Sequence, residues 1–189
     1  IMNEVISSYP KIKFEIIWRP FQLNPNISKE GMDRQTYLEK KFGGKEQAKN
    51  TYESIYKKGI NNNIYFQFDK IKKTPNSFAS HKLLALAHRH NNQAQVIETL
   101  FYSYFIEGLD IGDFEELIII AKQHKIYDEN TLSYLKSKVD NESLLLEEKY
   151  AKDLGIKGVP CFIINKEIVL FGAQDKKNFL DIFEKIKNG

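Results

Sequence analysis

The sequence predicts an α/β fold in which a long helical segment is inserted between two short pieces of sheet. A β-branched and aromatic run at residues 13–19 ends at Pro20, as a strand would. Two further apolar runs, at residues 159–164 and 167–171, flank a short turn near the other end of the chain. Between them, apolar residues recur at helical spacing. This order predicts a split α/β domain that carries an all-helical insertion.

The first predicted element is a helix over residues 1–8, where the apolar residues share one face. Tyr9-Pro10 ends it, because a residue that precedes proline is pushed out of the helical conformation. The strand at residues 13–19 follows. A polar loop over residues 22–32 then leads into the helical segment.

The helical segment is divided by polar residues that start helices and by glycines that end them. Asp33 and Asp113 are predicted to cap two of the helices. Residues 65–68 are predicted to form either a short strand or an extended connector. The predicted helices span residues 34–42, 45–58, 76–90, 92–107, 113–125, 128–139 and 141–154.

The last part of the chain is predicted to form a hairpin and a helix. Residues 159–164 form the first strand, with Pro160 at its start, where a proline is tolerated. Asn165-Lys166 is a two-residue turn, and residues 167–171 return. Residues 173–187 form an amphipathic helix. Its predicted inward face carries Phe179, Ile182, Phe183 and Ile186.

Composition and charge argue against several classes of protein. The net charge of +3 is small and the lysines are spread along the chain, so we expect a solvated surface and no nucleic-acid binding. No apolar run approaches the length of a transmembrane helix, and the first residues lack a secretory pattern. We therefore expect no membrane association and a cytoplasmic location.

Cysteine usage limits the chemistry of the printed residues. Cys161 is the single cysteine, which excludes an intramolecular disulfide and a multi-cysteine metal site within this sequence and is compatible with a reducing cytosol. The histidines lack cysteine or carboxylate companions at ligand spacing, so we expect no metal site.

Several short blocks of sequence together resemble one known family. Gly158-Val159-Pro160, followed by a hairpin and a final helix, resembles the second half of a thioredoxin fold, in which a cis-proline opens a strand. The other blocks resemble the FrnE-like branch of the DsbA family, which is related to 2-hydroxychromene-2-carboxylate isomerases and kappa-class glutathione transferases. Those blocks are Trp18-Arg19-Pro20-Phe21-Gln22-Leu23-Asn24-Pro25, Thr74-Pro75-Asn76-Ser77, the residues 105–113 and Gly172-Ala173-Gln174.

The resemblance implies a thioredoxin-like fold with a large all-helical insertion domain. It assigns residues 1–30 and 155–189 to the thioredoxin-like domain and residues 31–154 to the insertion. It also implies that the first strand and a Cys-Pro-Trp-Cys-type motif lie upstream of Ile1, with that strand between residues 13–18 and 160–165. In a second interpretation, the chain is a truncated product whose missing strand comes from a partner chain or from rearranged pairing.

The resemblance makes Val159 and Pro160 the substrate-docking position. A cis bond between them would leave the Val159 backbone free to pair with an extended peptide or glutathione, like an added strand. From spacing alone, an ordinary trans proline at a strand start fits equally well. Cys161 would lie within reach of this position, and we interpret it as a small buried apolar residue.

Five other residues are candidates for substrate binding. Asn24 follows the first predicted strand, at the edge where ligand sites of α/β sheets gather, or else it caps its own loop. Gln174 and Asp175 open the last helix, whose free N–H groups would hold a carboxylate of glutathione, or else they only cap the helix. Asn76 and His81 belong to a block that faces a groove in related proteins; the alternative for His81 is a structural, partly buried histidine.

Three functions fit these residues. The first is a thiol–disulfide oxidoreductase with its cysteine pair upstream, which makes the protein an enzyme, and the block at residues 18–25 favours it. The second is a glutathione-dependent isomerase or transferase with serine as the key residue. The third is a non-catalytic binding module. We expect no cofactor apart from glutathione as a co-substrate, a thiol or disulfide protein or glutathione as partner, and a monomer or homodimer.

Overall fold

The computed structural model describes residues 2–188, without the side chain of Asn188, and the predicted helical position of Ile1 lies outside the described residues. The helices are α1 (Met2–Ser7), α2 (Arg34–Phe42), α3 (Lys45–Ile60), α4 (Phe78–Arg89), α5 (Gln93–Tyr102), α6 (Phe114–Gln123), α7 (Thr131–Lys136), α8 (Asn141–Asp153) and α9 (Lys176–Asn188). The strands are β1 (Met32–Asp33), β2 (Lys73–Thr74), β3 (Cys161–Ile164) and β4 (Ile168–Phe171). No helix in this part of the chain has the length and apolar character needed to cross a membrane.

The chain forms two compact units. Unit 1 contains the residues up to Leu23 and those from Leu146 onward, and unit 2 contains Asn24–Leu145. The second change between the units lies within helix α8, whereas the predicted domains have their limits after residue 30 and after residue 154. The assignment of the units to a thioredoxin-like domain and an insertion domain stays a prediction.

Strands β3 and β4 form the predicted hairpin in unit 1. They pair antiparallel, with Cys161 opposite Phe171 and Ile164 opposite Ile168. Asn165 and Lys166 form the turn with φ values of 52° and 64°. Two positive φ values in succession match the twist of a tight hairpin. The predicted hairpin is confirmed, but its turn spans residues 165–167, one residue more than predicted, because Ile164 pairs with Ile168 and the returning strand begins there.

The core of unit 1 lies under this hairpin. Val5 of α1 and Phe179 and Phe183 of α9 are buried at its centre, with exposed fractions of 0%, 2% and 8%. Ile182 is half-buried beside them. Ile186 is 37% exposed, so its predicted inward position is wrong. The buried cluster ends one turn earlier in α9, which leaves the last turn in solvent.

The predicted strand at residues 13–19 is wrong. The structure has no strand there, and β3 pairs with β4 alone among the described residues, so the expected common sheet of residues 13–18 and 160–165 is wrong too. A strand forms only where a neighbour completes its backbone hydrogen bonds. The two segments share a core instead. The Phe14 ring lies 5.0 Å from the Phe183 ring, and the Phe162 ring lies 5.1 Å from the Phe179 ring.

Unit 2 is built on helices α4, α5 and α6, which pack around the fully buried Leu83, Val96 and Leu117. The predicted caps are confirmed, because the side chains of Asp33 and Asp113 accept backbone N–H groups in the first turns of α2 and α6. Each cap satisfies a donor that a helix start leaves unpaired. These caps fix where helices α2 and α6 begin.

Two local features of unit 2 differ from the prediction, and a third decides between two predicted alternatives. β1 and β2 form a two-residue ladder, which is too short to leave a periodic pattern in the sequence. The predicted helix over residues 92–107 changes at Ser103–Glu107 into a π-helical turn, a feature that often occurs at functional sites. Of the two alternatives predicted for residues 65–68, the connector fits and the strand does not: the Gln67 N–H donates to the Phe105 carbonyl at 2.8 Å, and the 3-10 turn Phe68–Lys70 follows.

Candidate functional site

The loop before β3 carries the two residues predicted to dock substrate. The Val159–Pro160 peptide bond is cis. The Pro160 carbonyl accepts a hydrogen bond from the Gly172 N–H at 2.8 Å, which fixes the loop to the end of β4. Val159 is 52% exposed, and its backbone N–H and C=O make no hydrogen bond with any described residue. Val159 therefore offers an unpaired, accessible backbone beside an ordered hairpin.

Cys161 is the first residue of β3 and is half-buried. Burial raises the pKa of its thiol above the ordinary value. Since the thiolate is the reactive form, a raised pKa makes this cysteine a poor nucleophile at neutral pH.

Gln174 and Asp175 serve the start of helix α9. The Gln174 amide donates to the carbonyls of Phe171 at 2.9 Å and Gly172 at 3.1 Å. The Asp175 carboxylate accepts the Asn178 N–H at 2.9 Å, as an N-terminal cap does. Gln174 thus lies at the same end of the hairpin as Pro160, while Asp175 already holds a negative charge at the helix start.

Asn24, in unit 2, is held by its side chain. Its Oδ1 accepts the Tyr37 hydroxyl at 3.1 Å, and the Tyr37 hydroxyl accepts the Lys41 ammonium at 2.8 Å. Because Oδ1 is used as an acceptor, the Nδ2 donor of Asn24 faces away from Tyr37. The Asn24 side chain therefore bonds to a residue of helix α2, which a residue that only capped its own loop would not do.

Asn76 connects the loop after Asn24 to helix α4. Its Nδ2 donates to the Ile27 carbonyl at 2.7 Å, and its Oδ1 accepts the Phe78 N–H at 3.0 Å. The Ile27 N–H in turn donates to the Asn24 carbonyl at 3.2 Å. Asn24 and Asn76 are therefore brought together through Ile27.

His81 lies one turn into α4, next to Ser77. Its Nε2 is 3.3 Å from the Ser77 hydroxyl, and its Nδ1 is buried without a hydrogen-bond partner in residues 2–188. Burial lowers the pKa of His81 from 6.5 to about 4. The imidazole is therefore neutral at pH 7, and an uncharged ring nitrogen is available inside the unit.

Glu148 is a residue of unit 1 that sequence reasoning missed. It is 3% exposed, and its Oε1 accepts the backbone N–H of Gln22 at 3.1 Å, while Lys152 lies 3.6 Å from its other oxygen. Gln22 belongs to the block at residues 18–25, but nothing in the sequence links it to a carboxylate 126 positions away. A buried charged acceptor thus holds this block in place.

Comparison with known proteins places this geometry in a family. A family description of the DSBA-like thioredoxin domain matches residues 1–184. The chain belongs to the DSBA-like thioredoxin domain family. This confirms the resemblance to the DsbA family and the thioredoxin-like fold with a helical insertion.

Among solved structures, this DSBA-like chain is similar to the crystal structure of a probable DsbA oxidoreductase from Streptomyces coelicolor. The TM-score is 0.86 at 21% sequence identity, and the match covers 97% of this chain and 80% of that one. At this identity the similarity shows the fold. Comparison with curated proteins finds no match.

Proposed function

We propose that the protein is a thiol–disulfide oxidoreductase of the DsbA type, in the FrnE-like branch. The unpaired backbone of Val159 carries the proposal, since the free N–H and C=O of an exposed residue next to a strand can take an extended substrate peptide. Membership of the DSBA-like family supports the same chemistry. The substrate is a thiol or disulfide protein, and the low cysteine content agrees with a reducing cytoplasm.

The reaction needs two cysteines that act in sequence. A thiolate attacks one sulfur of the substrate disulfide and displaces the other as a thiolate, which forms a mixed disulfide. A second thiolate then attacks the enzyme's sulfur and releases the reduced substrate, leaving an enzyme disulfide. Cys161 is the one cysteine of these 189 residues, so the proposal places the pair upstream of Ile1.

The residues of unit 1 would supply docking. The Val159 N–H and C=O would pair with the substrate backbone on either side of its cysteine, and the hydrogen bond from Gly172 to Pro160 would keep that edge in place. Cys161 would stay a protonated thiol because of its raised pKa and would leave the exchange to the upstream pair.

The glutathione-dependent alternative has less support from this geometry. Its predicted anion site is the start of α9, where the Asp175 carboxylate already accepts the Asn178 N–H. A second carboxylate there would meet a like charge. The non-catalytic alternative differs from the proposal in the absence of any cysteine pair.

Reduction of insulin by dithiothreitol tests the proposal. The encoded product that includes residues upstream of Ile1 should accelerate insulin precipitation, and the 189-residue chain, with Cys161 alone, should not. A product with two upstream cysteines that neither accelerates the reaction nor shows a dithiol–disulfide transition would contradict the proposal. Titration with millimolar glutathione tests the glutathione-dependent alternative, which requires that glutathione binds saturably.

A further inference from the structure

A buried arginine in unit 2 has no acidic partner. Arg34 is the first residue of α2 and is 9% exposed. Its Nη1 donates to the Thr74 hydroxyl at 3.1 Å and to the Tyr104 hydroxyl at 3.2 Å, and its Nη2 donates to the Tyr52 hydroxyl. No carboxylate in residues 2–188 forms an ion pair with it. Burial of a guanidinium without a countercharge is costly.

Aromatic rings give this charge a partial compensation. The Arg34 Cζ lies 5.8 Å from the centre of the Tyr37 ring, 5.1 Å from that of Tyr52 and 5.9 Å from that of Tyr104. Such contacts stabilise a cation through the ring quadrupole but leave its net charge unchanged. The surroundings of Arg34 are therefore polar and positive.

A second cation shares one of these rings. The Lys41 ammonium lies 5.3 Å from the centre of the Tyr37 ring and donates to the Tyr37 hydroxyl. The acids of α2 and its cap are engaged elsewhere, since Asp33 accepts from Thr36 and Glu39 accepts from Gln35. Two positive charges thus flank Tyr37 with only neutral partners.

Hydrogen-bond donors remain unused at this cluster. The Tyr52 hydroxyl accepts from Arg34, and its own proton has no acceptor among the described residues. An arginine has five N–H donors, of which the three bonds to Thr74, Tyr104 and Tyr52 use three. A phenol that accepts from a cation is polarised and becomes a stronger donor.

We propose that Arg34 and Tyr52 form a binding site for a carboxylate, with the Lys41 ammonium, which shares the Tyr37 ring with Arg34, as a second positive charge. A carboxylate has two oxygens, so one would accept from the Tyr52 hydroxyl and the other from a free Arg34 N–H, and its single charge would offset the excess positive charge. The carboxylate is that of a small acid or of a peptide. This site belongs to unit 2 and does not depend on the proposed redox function.

Titration of the 189-residue chain with sodium acetate tests the site. Sodium chloride is lowered as acetate is added, so that the ionic strength stays constant. Arg34 amide and Nε–H resonances in nitrogen–proton spectra should shift saturably with acetate. Tyr52→Phe keeps the ring and removes the donor, and it should weaken acetate binding at least about tenfold. Tyr65→Phe removes a hydroxyl from a 58% exposed tyrosine and should leave the affinity unchanged.

Several outcomes would overturn the proposal. They are shifts with acetate that match those with chloride, an unchanged affinity in Tyr52→Phe, or equal or tighter binding of inorganic phosphate. If Tyr52→Phe fails to fold by circular dichroism, Lys41→Gln takes its place and should weaken binding at least about threefold, and an unchanged affinity there overturns it.

The source of the carboxylate is resolved with two blocked amino acids. Tighter binding of N-acetylglutamate amide than of acetate indicates a peptide ligand, and equal binding indicates a small acid. N-acetylglutamine amide, which lacks the charge, should not bind in either case, and its binding would overturn the carboxylate site.

Discussion

At the scale of single residues, His81 makes the stability of the fold depend on pH. Its Nδ1 is buried without a partner in the described chain, and burial lowers its pKa to about 4. The unfolded chain therefore binds more protons than the folded chain between pH 6.5 and about 4. The free energy of unfolding falls as the pH is lowered through this window, and the burial has little cost at pH 7.

Replacement of His81 should remove this pH dependence. Between pH 7 and pH 5 the wild type should lose about 2 kcal/mol more stability than His81→Gln, measured by urea unfolding. His88→Gln, at an exposed position of the same helix, keeps the His81 imidazole and is the matched control. Equal losses in the wild type and His81→Gln would show that this imidazole is not the buried titrating group.

Single residues also show why the polar cluster around Arg34 in unit 2 could not be predicted from the sequence. Arg34 meets Tyr52 and Tyr104, which lie 18 and 70 positions away, and Thr74, which lies 40 positions away. No spacing rule joins such residues, because their contact depends on how α2, α3, β2 and the π-helical turn pack. Asn24 and Val159, in contrast, stand beside prolines and are visible as candidates from local patterns.

At the scale of elements, a buried lysine joins helix α4 to the end of helix α7. Lys82 is 1% exposed, and its ammonium donates to the carbonyls of Tyr134 and Ser137, both at 2.7 Å. These carbonyls lie at a helix end, where C=O groups often lack partners within the helix. The Tyr134 carbonyl also accepts from the Ser137 N–H and hydroxyl, so the Ser137 carbonyl depends most on Lys82. The Lys82 charge also lies 4.8 Å from the centre of the Tyr134 ring.

Loss of this ammonium should weaken unit 2. Lys82→Met keeps an apolar stem of similar length but leaves the Ser137 carbonyl without its donor and removes one of the donors to the Tyr134 carbonyl, so we expect a loss of about 1–3 kcal/mol in urea unfolding. Lys138→Met removes a charge from an exposed position nearby and should change stability by less than about 0.5 kcal/mol. Wild-type stability in Lys82→Met would mean that the two carbonyls do not depend on Lys82.

Helix α8 has a comparable role in unit 1 through Glu148. Glu148→Ala removes the buried acceptor of the Gln22 N–H and should cost about 1–3 kcal/mol, whereas Glu148→Gln keeps an acceptor oxygen and should cost less. Glu147→Ala is the control, since Glu147 pairs with Arg19 at 3.2 Å with both side chains partly exposed, and surface pairs contribute about 0–1 kcal/mol. Similar losses in Glu148→Ala and Glu147→Ala would contradict the anchoring role.

Elements that depend on neighbouring residues in the sequence could be predicted, and elements that depend on partners far along the chain could not. Helix α2 begins and ends where Asp33 and the helical periodicity place it, and the hairpin turn follows from Asn165-Lys166. Residues 13–19 have the composition of a strand but no neighbouring strand in the described chain, so they form none. The β1–β2 ladder shows the reverse case. Its two segments have no strand pattern in the sequence, yet they pair because packing brings two loops together.

At the scale of the whole molecule, the fold class and the docking position followed from the few residues around Pro160, because a hairpin and a final helix after such a proline are a specific combination. The chemistry did not follow, because a dithiol reaction needs two cysteines and the printed chain has one. The docking groups and the redox role are therefore both proposals, and the redox role requires a cysteine pair beyond Cys161.

Amide hydrogen exchange at Val159 is the most direct measurement of the docking role. Addition of a millimolar linear peptide with one cysteine should slow exchange of the Val159 amide at least about tenfold, because that N–H would gain a carbonyl partner. The Val169 amide, on strand β4, should be unaffected. An unchanged rate at Val159, in a peptide titration that saturates elsewhere on the chain, would contradict the proposed site.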